Sequence, residues 1–111
     1  MKARTLILTA LIALILAAPA FARLKDRDFR KLVGYTVIEI TNVVGDFEGA
    51  DFDKAVALDN GMVFKFNEYN YSYSYRPDVV ILAKKITVGK DSALLWKLII
   101  EDELYDVTRV K

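Results

Sequence analysis

Histidine and cysteine are both absent from the 111 residues. Without them the chain cannot build a Ser-His-Asp or Cys-His nucleophile, an imidazole or thiolate metal site, a disulfide, or a lipid-modified N-terminal cysteine. Most familiar enzyme designs are therefore excluded. Proline occurs only twice and tryptophan once. An excess of charge of one sign is also missing, with 16 Lys+Arg against 15 Asp+Glu. Nucleic-acid binders usually carry a basic stripe, so no nucleic-acid partner is expected.

The N-terminus stands apart from the rest. Lys2 and Arg4 form a short positive segment, Thr5 to Ala18 an uncharged apolar one, and Pro19 precedes Ala20-Phe21-Ala22, a small-x-small pattern that signal peptidases cut after. This predicts a signal peptide over 1–22 and one small domain over 23–111, periplasmic or secreted. With Lys2 and Arg4 removed, 14 basic residues face 15 acidic ones. Thr5 to Ala22 is also near the lower limit of ~17 residues for a membrane-spanning helix, so an uncleaved anchor is the alternative. Either way the domain lies outside the cytoplasm. After cleavage no membrane insertion is expected, because Val79 to Ala83, the next apolar run, has only strand length. In a compartment that allows disulfides, the domain must hold together by core packing alone.

A short helix is expected next. Asp26 or Asp28 can cap it, Phe29, Leu32 and Val33 recur at helical spacing as a plug over one end of a small sheet, and Gly34 can end it. From Tyr35 the pattern has period two. Tyr35 to Val44 reads as a strand with Thr36, Ile38 and Ile40 on one face; Asp46-Phe47-Glu48-Gly49 interrupts; Lys54 to Leu58 resumes. Asp59-Asn60-Gly61 before Met62 to Phe66 predicts a hairpin with a type I′ turn. Tyr69 to Tyr75, Val79 to Lys84, Leu94 to Ile100 and Leu104 to Val110 complete the set. About six short strands without a further helix fit an all-β, SH3-like or OB-like antiparallel barrel with a short N-terminal helix.

Two constellations carry chemistry. Asp46, Glu48, Asp51 and Asp53 are four carboxylates within eight residues. They read as a bulged acidic turn with Phe47 and Phe52 pointing into the core, as a calcium site, or as a source of paired carboxylates for catalysis. The spacing is not that of an EF-hand, and a glycosidase pair would need a larger cleft. The second constellation is Tyr69, Tyr71, Tyr73 and Tyr75, which fall on one face of an extended strand about 6.6 Å apart, with Asn70, Ser72, Ser74 and Arg76 on the other. The row is either core, packed on Phe64, Phe66 and Trp96, or a platform for a ligand. Burial at mid-strand would make Tyr71 and Tyr73 central and Tyr69 and Tyr75 peripheral. Arg76, just before Pro77, could orient an acidic group of a ligand.

Phe47-Glu48-Gly49-x-Asp51-x-Asp53-Lys54, Leu58-Asp59-Asn60-Gly61 and Tyr71-x-Tyr73-x-Tyr75-Arg76-Pro77 together resemble a pattern in short exported bacterial proteins of uncharacterised function. The resemblance implies a bacterial periplasmic or secreted location and no activity. The leading expectation is a non-catalytic module that binds a protein or glycan through Tyr69, Tyr71, Tyr73, Tyr75 and Arg76. The alternative is a small carboxylate- or metal-dependent enzyme, or a calcium-binding domain, built on Asp46 to Asp53. Beyond calcium, no cofactor is implied.

Overall fold

The computed structural model describes residues 24–111 except Asp53, so the signal-peptide expectation lies outside the described residues. The chain runs α1 (Asp26–Lys31), β1 (Thr36–Asn42), β2 (Asp46–Ala50), β3 (Ala55–Ala57), β4 (Val63–Phe66), β5 (Asn70–Tyr75), β6 (Asp78–Val88), β7 (Asp91–Ile100) and β8 (Glu103–Arg109). Six strands form one antiparallel sheet in the order β1-β6-β7-β8-β4-β3, and β2 pairs with β5 as a separate two-stranded ribbon. The sheet curls into a half-barrel, and a bridge between Val43 and Leu58 brings its two edges together at one end. The expected all-β, barrel-like class is the one observed, with eight strands and one short helix among the described residues.

Alternation decides where the core sits. In β6, Val79, Ile81 and Ala83 face the main core with Trp96, Leu98 and Ile100 of β7, whereas Val80, Leu82 and Ile99 face the other side. Both faces of this strand are covered, which is why its sequence is a nearly unbroken apolar run. The cover on the second side comes from Leu24, Leu32 and Tyr35. The helix thus lies against a sheet face and not over an end. Phe29 and Val33, expected in the plug, are instead 44% and 71% exposed. With only six helical residues, the side chains that reach the sheet come from just before and after the helix. Asp28 accepts a hydrogen bond from the Lys25 N–H at 3.2 Å and so closes the first turn.

The first strand also departs from simple alternation. A bulge between Val37 and Glu39 puts Glu39 opposite Ile81 and Ile40 opposite Val80. Ile40 therefore shares a face with Val37, and Ile38 is the extra residue.

The Asn60-Gly61 hairpin joins β3 to β4 with Ala57 opposite Val63, but its turn is not type I′. Only Gly61 has positive φ, at +89°, while Gly61 N–H bonds the Leu58 carbonyl at 2.9 Å and Leu58 N–H bonds the Met62 carbonyl at 2.9 Å. This is a three-residue loop with a type I turn and a glycine bulge. Asn60 stays out of the left-handed region because its Oδ1 accepts the Met62 N–H at 3.0 Å. Both central residues of the β7–β8 connection, Glu101 and Asp102, do take positive φ, 50° and 63°. Replacing Gly61 by Val should cost about 1–2 kcal/mol, all of it backbone strain, since nothing lies within 4 Å of an added Cβ. Lys90→Ala on an exposed tip should change stability by no more than about 0.5 kcal/mol. Equal urea midpoints for the two variants would contradict this turn.

Candidate functional site

The residues singled out in the sequence converge on the β2–β5 ribbon. Asp46 pairs with Tyr75, Phe47 with Ser74, Gly49 with Tyr71 and Ala50 with Asn70, with a bulge between Phe47 and Gly49. The segment expected as an acidic turn is therefore largely a strand. Phe47 points into the core as expected, but Phe52 is 55% exposed. It lies beyond the end of β2, in the connection to β3, where strand alternation no longer directs it inward.

All four tyrosines face solvent: Tyr69, Tyr71, Tyr73 and Tyr75 are 68%, 70%, 62% and 70% exposed. The expectation that Tyr71 and Tyr73 are buried at mid-strand is overturned, as is packing of the row on Phe64, Phe66 and Trp96. The inward side of β5 carries the small half-buried Asn70, Ser72 and Ser74. The aromatic core is built without the row. Phe47 contacts Phe66 and Tyr105 at ring-centroid distances of 6.0 and 5.9 Å, Phe66 contacts Tyr105 at 5.4 Å, and Phe64 contacts Trp96 at 5.5 Å.

The acidic group and the tyrosines meet on the outer face. Tyr73 Oη donates to Asp46 Oδ1 at 3.2 Å. The charge of Asp46, together with this bond, raises Tyr73 above the ordinary phenol value, and Glu48 adds to the effect. Glu48 lies 3.7 Å from Lys54 Nζ, an exposed pair of the kind worth about 0–1 kcal/mol. Asp51 opens the turn into β3, its carbonyl accepting the Lys54 N–H at 3.0 Å. Asp53 lies outside the described residues. Among the described residues no three carboxylates gather in an arrangement that could hold a metal ion.

Arg76 is exposed, but its polar groups are already engaged within the chain. Its guanidinium donates to Asp59 Oδ2 at 2.9 Å, its N–H bonds the Gly45 carbonyl at 2.9 Å, and its carbonyl accepts from Asn42 Nδ2 at 3.2 Å. These bonds hold it at φ 45°, a left-handed conformation unusual for arginine. Its charge ties the β3–β4 turn to the corner after β5.

Two features escape sequence reasoning. A groove of about 300 Å³ runs between β2 and β3, with Phe47, Val56 and Phe66 among its lining residues and Asp46, Glu48 and Lys54 beside them. Finding it requires knowing that β2 and β3 belong to different sheets, which no local pattern states. The other is Tyr105, 1% exposed, whose hydroxyl has no hydrogen-bond partner among the described residues.

Burial, then the nearby Glu103, Glu68 and Glu101, push Tyr105 up to about 12. The folded state holds this proton more tightly than the unfolded chain, where phenols titrate near about 10. The associated stability is complete below about pH 10 and is lost as pH rises toward about 12. Tyr105→Phe should leave stability at about pH 8 equal or higher, since it removes an unpaired buried hydroxyl. It should also flatten the alkaline loss between about pH 10 and 12. Urea midpoints in both ranges check this, and an unchanged alkaline slope would assign that loss to other groups.

Comparison of the chain with protein-family models, with curated proteins and with solved structures finds no match. The functional reading therefore rests on the geometry above.

Proposed function

We propose that this chain is a non-catalytic exported module that binds a protein or glycan through the tyrosine row of the β2–β5 ribbon. The observation that carries the reading is the orientation of β5: its large aromatic residues face solvent and its small polar residues face the core. A strand selected only for stability would be turned the other way, because burying an aromatic side chain contributes on the order of 1.5–3 kcal/mol. Tyrosine suits a binding surface. It offers a large contact area, loses little rotamer freedom and keeps a hydroxyl for a polar partner. Export, proposed from residues 1–22, restricts the ligand to molecules outside the cytoplasm.

The test uses a double variant, Tyr71→Ala/Tyr73→Ala. It should unfold within about 1 kcal/mol of the parent, as exposed substitutions do. Ligands that the parent selects from a glycan array and a displayed peptide library should lose affinity at least about tenfold, or 1.4 kcal/mol. Retained affinity for every selected ligand would sink the proposal. So would unfolding of the variant, which would put the row back in the core.

A further inference from the structure

The ribbon that carries the tyrosines is incomplete as a sheet. Among the described residues, β2 makes backbone bonds only to β5, and β3 bonds to β4 and, at one end, through the Ala57 carbonyl to the Val44 N–H at 3.0 Å. Each strand therefore has a free edge, and both strands line the same groove. A free edge offers unpaired main-chain donors and acceptors, and an extended peptide is the ligand that satisfies them. Asp46–Ala50 and Ala55–Ala57 contain no proline and no lysine, and what limits strand addition is the Phe47–Gly49 bulge, the acidic Asp46 and Glu48, and the three-residue length of β3.

The surroundings specify the side chains of such a peptide. Phe47, Val56 and Phe66 are buried apolar residues that line the groove. An added strand would turn every second side chain toward them. The alternate side chains would lie on the outer face beside Asp46 and Glu48, about 4.8 Å from β2. Among the described residues, the cation that pairs with this acidic rim is the exposed Lys54 on Glu48, while Asp46 accepts from the Tyr73 hydroxyl. Lysine or arginine at the outer positions would complement both carboxylates and could also reach the tyrosine rings, whose faces attract cations. A glycan cannot supply the repeating main-chain donors and acceptors that pair with a strand edge.

We infer that the groove between β2 and β3 takes an extended segment of a partner protein with basic and apolar side chains in alternation, added to the edge of β2 as the third strand of the ribbon. This rests on the reading of the chain as a binding module and specifies the class of partner.

The probe is the dye-labelled, end-capped hexapeptide Lys-Val-Lys-Val-Lys-Val, titrated with the full chain and followed by fluorescence anisotropy. Saturable binding is expected. It should weaken at least about tenfold in Asp46→Asn/Glu48→Gln, in the peptide with Glu for Lys, and in the fully N-methylated peptide. Both carboxylates are exposed, so the double variant should keep the parent's unfolding midpoint. In the complex, amide exchange should slow at Asp46–Ala50.

Equal affinity for the Glu peptide or in the neutralised variant would overturn the charge assignment. Equal affinity for the N-methylated peptide, or no exchange protection in β2, would overturn strand addition. No binding of the Lys-Val peptide, with other ligands still lost in Tyr71→Ala/Tyr73→Ala, would overturn this inference and leave the tyrosine reading standing. Strand binding that is intact in the tyrosine variant, with no ligand that depends on the row, would support the groove and sink the tyrosine reading.

Discussion

Gly49→Ala is expected to destabilise the protein by more than about 4 kcal/mol, a loss reserved for substitutions that the native backbone cannot accommodate. Gly49 has φ +95°, and a Cβ built there lies 2.8 Å from Tyr71 Cα, 2.6 Å from Ser72 N and closer still to Asn70 O. All three are backbone atoms of β5, so no side chain can swing aside. The two strands of the ribbon would have to part, at the bulge where β2 already gives up regular pairing. Gly45→Ala is the control. Its φ is +76° with nothing within 4 Å of an added Cβ, so it should lose only the backbone term of about 1–2 kcal/mol. Urea midpoints for the pair measure the difference. If Gly45→Ala and Gly49→Ala fall together, the close approach of β2 to β5 is wrong.

The same ribbon marks the limit of what sequence alone conveys. A strand with one clear apolar phase, such as Val63–Phe66 with Phe64 and Phe66 turned inward, is legible because side-chain direction follows from the backbone itself. The Tyr69 to Tyr75 alternation is equally legible, but it says only which residues share a face. Which face turns inward is normally decided by hydrophobicity, and tyrosine, apolar in its ring and polar at its tip, leaves that undecided. The answer comes from β2: with the backbones of Gly49 and β5 nearly touching and Phe47 beneath, the inner side of β5 takes Asn70, Ser72 and Ser74. The β2 strand itself reads as a turn, since acidic residues and glycine are poor strand formers, and it becomes a strand only through pairing with residues twenty or more positions away. The free edges beside it follow from topology, so the groove has no sequence signal at all. Arg76 shows a related limit, because its partner Asp59 is brought near by two separate chain reversals.

Phe47→Ala should be the most damaging truncation on the ribbon, and comparison with Phe52→Ala tests the register of β2 directly. Both phenylalanines flank the acidic residues, and sequence pattern assigns both to the core. In the structure Phe47 is 3% exposed, tilted 48° against Phe66 and nearly edge-on, at 80°, to Tyr105. Removing a buried phenylalanine costs about 3–5 kcal/mol in lost transfer energy and cavity formation. Each aromatic pair adds about 0.5–1.5 kcal/mol beyond its buried area, which places Phe47→Ala toward the upper end. That is a large share of the roughly 5–15 kcal/mol that holds a small domain together. Phe52, more than half exposed, should lose less than about 1 kcal/mol on the same change. Because Phe47 joins the ribbon to the half-barrel, its loss should also speed amide exchange throughout β2 and β5 at denaturant levels where the six-stranded sheet is still protected. Similar urea midpoints for the two variants would mean that β2 is shifted in register, and uniform exchange across sheet and ribbon would mean that Phe47 is not what fastens them together.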